Sequence, residues 1–186
     1  MRSIYLSPSV QEHNQYVTGT GSEEYYMNLI TDAMVPYLRA NEIAFVRNNP
    51  YDTLSQVVAQ SNAGSYDFHL ALHSNTAPEN LSGALQGPDI YYYADSREGK
   101  RAADIFAAGL KEIYPNPNLV ATIPNATLGE LKKTKAPVNL IELAYHDNQE
   151  DAQWIIDHIH AIARGLSMSL AAYFAISFSE PSESNE

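Results

Sequence analysis

The chain contains no cysteine. Disulfides and thiolate metal sites are therefore excluded, and any metal would have to be held by His, Asp or Glu. No apolar run approaches the roughly 20 residues of a membrane-spanning helix. The N-terminal MRSIYLSPS has no apolar stretch of signal-peptide length, so no leader is expected in this chain. Basic residues are scarce: 11 Lys and Arg face 22 Asp and Glu, a formal net charge of −11. Such a surface repels phosphate backbones, so no nucleic-acid partner is expected, and it has no bulk attraction to an anionic membrane or wall. The usual nucleotide and hydrolase signatures are also missing. There is no G-x-x-x-x-G-K-[ST] loop, no G-x-G-x-x-G after the first strand, no G-x-S-x-G elbow and no H-E-x-x-H helix.

What remains is a 186-residue chain with 45% hydrophobic residues, enough for one domain with its own core. Its apolar pattern alternates strand and helix. Short strands are expected at 3–7, 43–47, 66–72, 89–93 and 137–145. Helices are expected at 23–40, 52–62, 97–114 and 149–174. The first of these shows Tyr26, Leu29, Ile30, Ala33 and Tyr37 on one face, with Pro36 bending it. Alternating elements predict an α/β fold: a mainly parallel sheet of about five to six strands with helices on both faces. Ligands of such sheets sit beyond the carboxyl ends of the strands. Residues 1–175 read as the folded domain, and the polar, acidic 176–186 as a disordered tail or linker.

Polar residues at strand ends are therefore the candidates. His69, Ala71 and His73 share one face of the third strand, with His73 at its carboxyl edge. His69 lies deeper and reads as structural. Glu142 interrupts the apolar run NLIELAY. Either a Lys or Arg from the KKTK segment neutralises it, or chemistry needs it there. The long polar loop after the first strand holds one imidazole, His13. It ends at a capping-box pattern, Thr20 to Glu23, followed by Glu24. His13, Glu24 and His73 could form a site of two histidines and one carboxylate. Three protein ligands plus water is the pattern of a catalytic zinc. Glu142 would be the neighbouring base. Asn75 and Asn148 follow the two key strand ends and are candidates to contact substrate.

Three motifs in order give these residues a family context. EYYMNL carries E-x-x-x-N-L, LHSNTA carries I/L-H-x-N-A, and KAPVNLIELAYHDNQEDA follows P-A-V-L-x-E-x-G-F-x-x-N-x-x-D. Together the chain resembles the zinc-dependent N-acetylmuramoyl-L-alanine amidases of amidase type 3, a group that includes autolysins and endolysins, from IYLSPS to about Tyr173. The resemblance implies Zn²⁺ held by Glu24 and His73, with Glu142 as general base and acid. The substrate would be peptidoglycan, cut at the amide between the lactyl group of N-acetylmuramic acid and L-alanine. Action would be extracellular, at the bacterial wall. One motif departs from the pattern. Where the family has D-P-G-H-G-G, this chain reads LSPSVQEHN, and Val10 stands near the histidine position. His13, three residues on, is then the candidate first ligand. Two rival readings share these residues: a zinc peptidase of the stem peptide, and a non-enzymatic wall-binding domain with a degenerate metal site.

Overall fold

The computed structural model describes residues 1–182. Six strands form one sheet: β1 (Arg2–Pro8), β2 (Ile43–Arg47), β3 (Phe68–Asn75), β4 (Asp89–Tyr93), β5 (Ala121–Asn125) and β6 (Val138–Tyr145). Their order is β2-β1-β3-β6-β4-β5. All neighbours pair in parallel except β4 and β6, which are antiparallel. The helices are α1 (Glu23–Ala40), α2 (Leu54–Ala63), α3 (Arg97–Lys111), α4 (Gly129–Lys133), α5 (Gln149–Asp157) and α6 (Ile159–Tyr173). The expected α/β architecture, with its mainly parallel sheet and helical cover, is what forms.

Strand alternation divides the sheet into two unlike faces. Ile4, Leu6, Phe68, Leu70, Leu72, Ile90, Ile141 and Leu143 enter one large core with residues of α1, α3, α5 and α6. The opposite face holds a small apolar cluster, Ala71, Leu131, Val138 and Leu140. It is covered only in part, by α4 against β4 and β6 with α2 beside it. Buried polar groups sit on this lightly covered face. Register aligns three of its residues across neighbouring strands: Glu142 of β6 lies opposite His73 of β3 on one side and Asp89 of β4 on the other.

Four local expectations change. The N-cap of α1 is Ser22, whose hydroxyl accepts from the Tyr25 amide, so the Thr20–Glu23 box does not form. The single helix over 149–174 is two, because His158 leaves helical geometry at φ −119° and ψ 20°. No strand or helix is expected between 114 and 137, yet residues 121–133 hold β5 and α4; Pro124 is tolerated because β5 is an edge strand. The expected disordered tail is docked as far as Glu180. Ser179 exchanges two hydrogen bonds with the Asn41 side chain, and Glu180 pairs with Arg164. Its last residues, 183–186, lie outside the described part.

Candidate active site

His73 is the centre of a buried chain of hydrogen bonds. Its Nδ1 donates to Glu23 Oε1 at 2.8 Å and its Nε2 to Glu130 Oε2 at 3.4 Å. Glu23 is 1% exposed and Glu130 3%. Glu23 also accepts from Asn14 Nδ2 at 2.6 Å and from Gln11 Nε2 at 3.4 Å. Glu130 Oε1 accepts from Ser7 Oγ and from His69 Nε2, the latter at 3.2 Å. His69 Nδ1 meets Ser61 Oγ at 2.8 Å. The order is Ser61, His69, Glu130, His73, Glu23, Asn14, with imidazoles and carboxylates alternating.

This alternation sets the protonation. Burial alone would lower the His73 pKa, but hydrogen bonds to Glu130 and Glu23 overcome it and raise the group well above the usual histidine range. Burial alone would raise Glu23 and Glu130. The His73 bond to Glu23, and the His69 and His73 bonds to Glu130, hold both lowered instead. A ring with carboxylates on both nitrogens is a double donor, hence an imidazolium.

Glu142 behaves differently. Burial pushes it up to about 7; Glu23, Asp89 and Glu130 reinforce the shift, and His73 opposes it. Its Oε2 is buried without a hydrogen-bond partner, and no Lys or Arg bridges it among the described residues. The KKTK segment does not neutralise it. A carboxyl titrating near neutrality can both take and return a proton. Beside it, Asp89 is also raised by burial, against hydrogen bonds from Tyr145 and Asn75.

The residues expected from the sequence divide. His73 and Glu142 come together, in register on adjacent strands. Asn75 lies at the end of β3 and reaches Asp89. Asn148 has a structural role: its Oδ1 caps α5 at the amides of Glu150 and Asp151, and its Nδ2 donates to Gly83 O at 2.7 Å. Glu24 does not join His73. Its Oε1 accepts from Asn28 Nδ2 at 2.9 Å, and its side chain lines a 320 Å³ surface cavity with Glu12 and Asp52. Helical phase is the reason. Glu23 shares the buried face with Tyr26, Met27, Ile30 and Met34, whereas Glu24 is turned about 100° from it. His13 is exposed on a turn without a hydrogen-bond partner among the described residues, while its neighbours Gln11 and Asn14 reach Glu23. Glu23 and Glu130 were not foreseen as site residues. For Glu23 the signal was present, three, four and seven residues before Tyr26, Met27 and Ile30.

The family model described as N-acetylmuramoyl-L-alanine amidase matches residues 10–171. The chain belongs to this amidase family. It is a peptidoglycan hydrolase of that type, built on the family's single-sheet catalytic fold. An N-acetylmuramoyl-L-alanine amidase from Clostridium difficile 630 aligns at TM-score 0.83 and 16% identity, over 94% of this chain and 97% of that one. AmiC2 of Nostoc punctiforme, an N-acetylmuramoyl-L-alanine amidase, aligns at 0.80 and 15%, over 94% and 97%. The catalytic domain of the CD27L endolysin aligns at 0.71 and 18%, over 96% and 100%. At such identities these likenesses show the fold alone. No curated protein matches the sequence.

The zinc centre of the resemblance can be tested against this amidase's own donors. Among the described residues, no three His, Asp or Glu side chains converge to hold a metal. Both nitrogens of His73 are committed to carboxylates, leaving no lone pair for an ion. The other imidazole of the expected trio, His13, is exposed on its turn. The residues present do not fit a zinc site of two histidines and one glutamate. The expected consequence is that His13→Ala leaves peptidoglycan hydrolysis and bound zinc unchanged within about twofold, the margin of a surface substitution. Loss of either in digestion and metal assays would return His13 to the site.

Proposed function

We propose that the chain hydrolyses the amide between the lactyl group of N-acetylmuramic acid and L-alanine, on the lightly covered sheet face, at the bacterial wall. One observation carries the reading: Glu142 is poised near neutrality, with an unpartnered oxygen, in register with His73. Ionised Glu142 takes a proton from the attacking water at Oε2. It then gives that proton to the departing nitrogen, because an amine leaves an amide readily only when protonated. His73, fixed between Glu23 and Glu130, holds positive charge beside this carboxylate and favours its ionised form. Asn75 and Asp89 sit next to it and offer polar contacts to the peptide side of the substrate. Zinc is the cofactor that the resemblance names, but the donors do not fit it, and no step here passes through a metal.

Purified peptidoglycan digested by the chain should yield free lactyl groups and new L-alanine amino termini, identified by mass analysis. Cuts within the stem peptide, or none, would sink the reading. The same preparation should carry far less than one zinc per chain, and a chelator should leave the rate unchanged. Stoichiometric zinc whose removal stops hydrolysis would restore a metal mechanism.

A further inference from the structure

Glu130 belongs to no motif. It arrives on α4, a five-residue helix, yet it occupies the centre of the buried chain behind His73. Its two oxygens accept from β1 through Ser7, and from β3 twice, through His69 and His73. Ala71, Leu131, Val138 and Leu140 form an apolar cluster on the same face, so an apolar residue on α4 would have neighbours to pack against. A buried carboxylate is a poor choice for stability alone, since apolar replacements of buried ion pairs are often neutral or stabilising. Its geometry matches a different task. Glu23 takes Nδ1 of His73 from one side and Glu130 takes Nε2 from the other, which fixes the ring's rotation and keeps both nitrogens protonated.

We infer that Glu130 is a positioning residue of this active site, holding His73 as a double donor through Nε2. Only the kinetic part of this inference rests on the hydrolytic reading. His69 is part of the same device: Ser61 holds its Nδ1, which leaves its Nε2 to donate to Glu130 and keep that carboxylate in place.

The test uses the full chain with ¹⁵N-labelled histidine, comparing wild type, Glu130→Gln and Glu130→Asp by imidazole ¹⁵N spectra and by digestion kinetics. Wild-type His73 should show both nitrogens protonated, and equimolar zinc should leave that signature in place. Glu130→Gln should shift the His69 and His73 signals together, because one carboxylate serves both. It should lower kcat by roughly 10–100-fold with KM within about twofold, the pattern of a lost transition-state contribution rather than lost binding. Glu130→Asp keeps the charge and should restore the double protonation and part of kcat. If Glu130→Gln does not fold, Glu130→Asp decides by the same signals. His73 signals indifferent to residue 130, an unchanged kcat in Glu130→Gln, or a wild-type His73 that exchanges its protonation for bound zinc would each overturn the inference. A wild type that releases no L-alanine amino termini would sink the hydrolytic reading instead, and the spectra would still report whether Glu130 holds His73.

Discussion

Glu142→Gln should abolish hydrolysis in practice, lowering the rate by about 10²–10⁴-fold, the usual contribution of a positioned acid–base group. The same substitution should change the pH dependence of stability. Glu142 is raised from 4.5 to about 7 in the folded chain. An acid with a raised folded pKa destabilises the fold when ionised: the unfolded chain ionises first, so stability falls as pH climbs from about 4.5 to about 7. The full shift corresponds to at most about 3.5 kcal/mol at about 1.4 kcal/mol per unit. Glutamine keeps the shape and removes the titration, so the variant should be more stable than wild type at pH 8 and little different at pH 4. Denaturant midpoints across that range check the stability, and digestion of peptidoglycan checks the activity. Wild-type activity should in turn rise through pH 7 as Glu142 ionises to act as base. A variant with normal activity and an unchanged pH slope would remove Glu142 from the chemistry.

Glu142 was legible because a strand advertises its exceptions. In NLIELAY a single carboxylate interrupts an apolar run, and period-two alternation places it on the same face as residues 138, 140 and 144. His73 was legible for the same reason, and so was the sharing of a face by His69, Ala71 and His73. What sequence alone could not supply was their neighbours. The choice between Glu23 and Glu24 depended on helical phase. The expected apolar face of Tyr26, Leu29, Ile30, Ala33 and Tyr37 is rotated by about one residue from the buried face of Glu23, Tyr26, Met27, Ile30 and Met34. The E-x-x-x-N-L pattern drew attention to Glu24, whose i to i+4 hydrogen bond with Asn28 accounts for that spacing locally. Glu130 had no periodic signal, since five residues make little more than one helical turn. Its role exists only once β1, β3 and α4 are packed together, more than fifty residues apart in sequence.

His73→Ala is expected to cost the most stability. It removes the one cation lying between Glu23 and Glu130 and leaves two buried carboxylates facing its empty place. Breaking a buried ion pair by deleting one partner costs about 3–5 kcal/mol, and here one deletion strands two acids. The pH dependence should identify the cause. In wild type, Glu23 and Glu130 are held lowered, so their stabilisation is present above the ordinary carboxylate range and is lost as pH falls through their folded values. His73 is raised, so its contribution is present below the ordinary histidine pKa and is lost as pH rises through its folded value. Wild type should therefore be most stable between these limits. In the variant the His73 bonds no longer oppose burial, so both acids shift upward, Glu130 keeping only its bonds from His69 and Ser7. Its stability should fall less than that of wild type as pH is lowered from about 5 toward about 3, where wild type gives up the stabilisation of its two lowered acids. Urea unfolding at these two values measures the slope, and His73→Ala combined with Glu130→Gln should recover part of the loss by removing one stranded charge. If the single variant shows the wild-type slope, or the second substitution recovers nothing, the chain from His69 to Glu23 is packing and not an electrostatic unit.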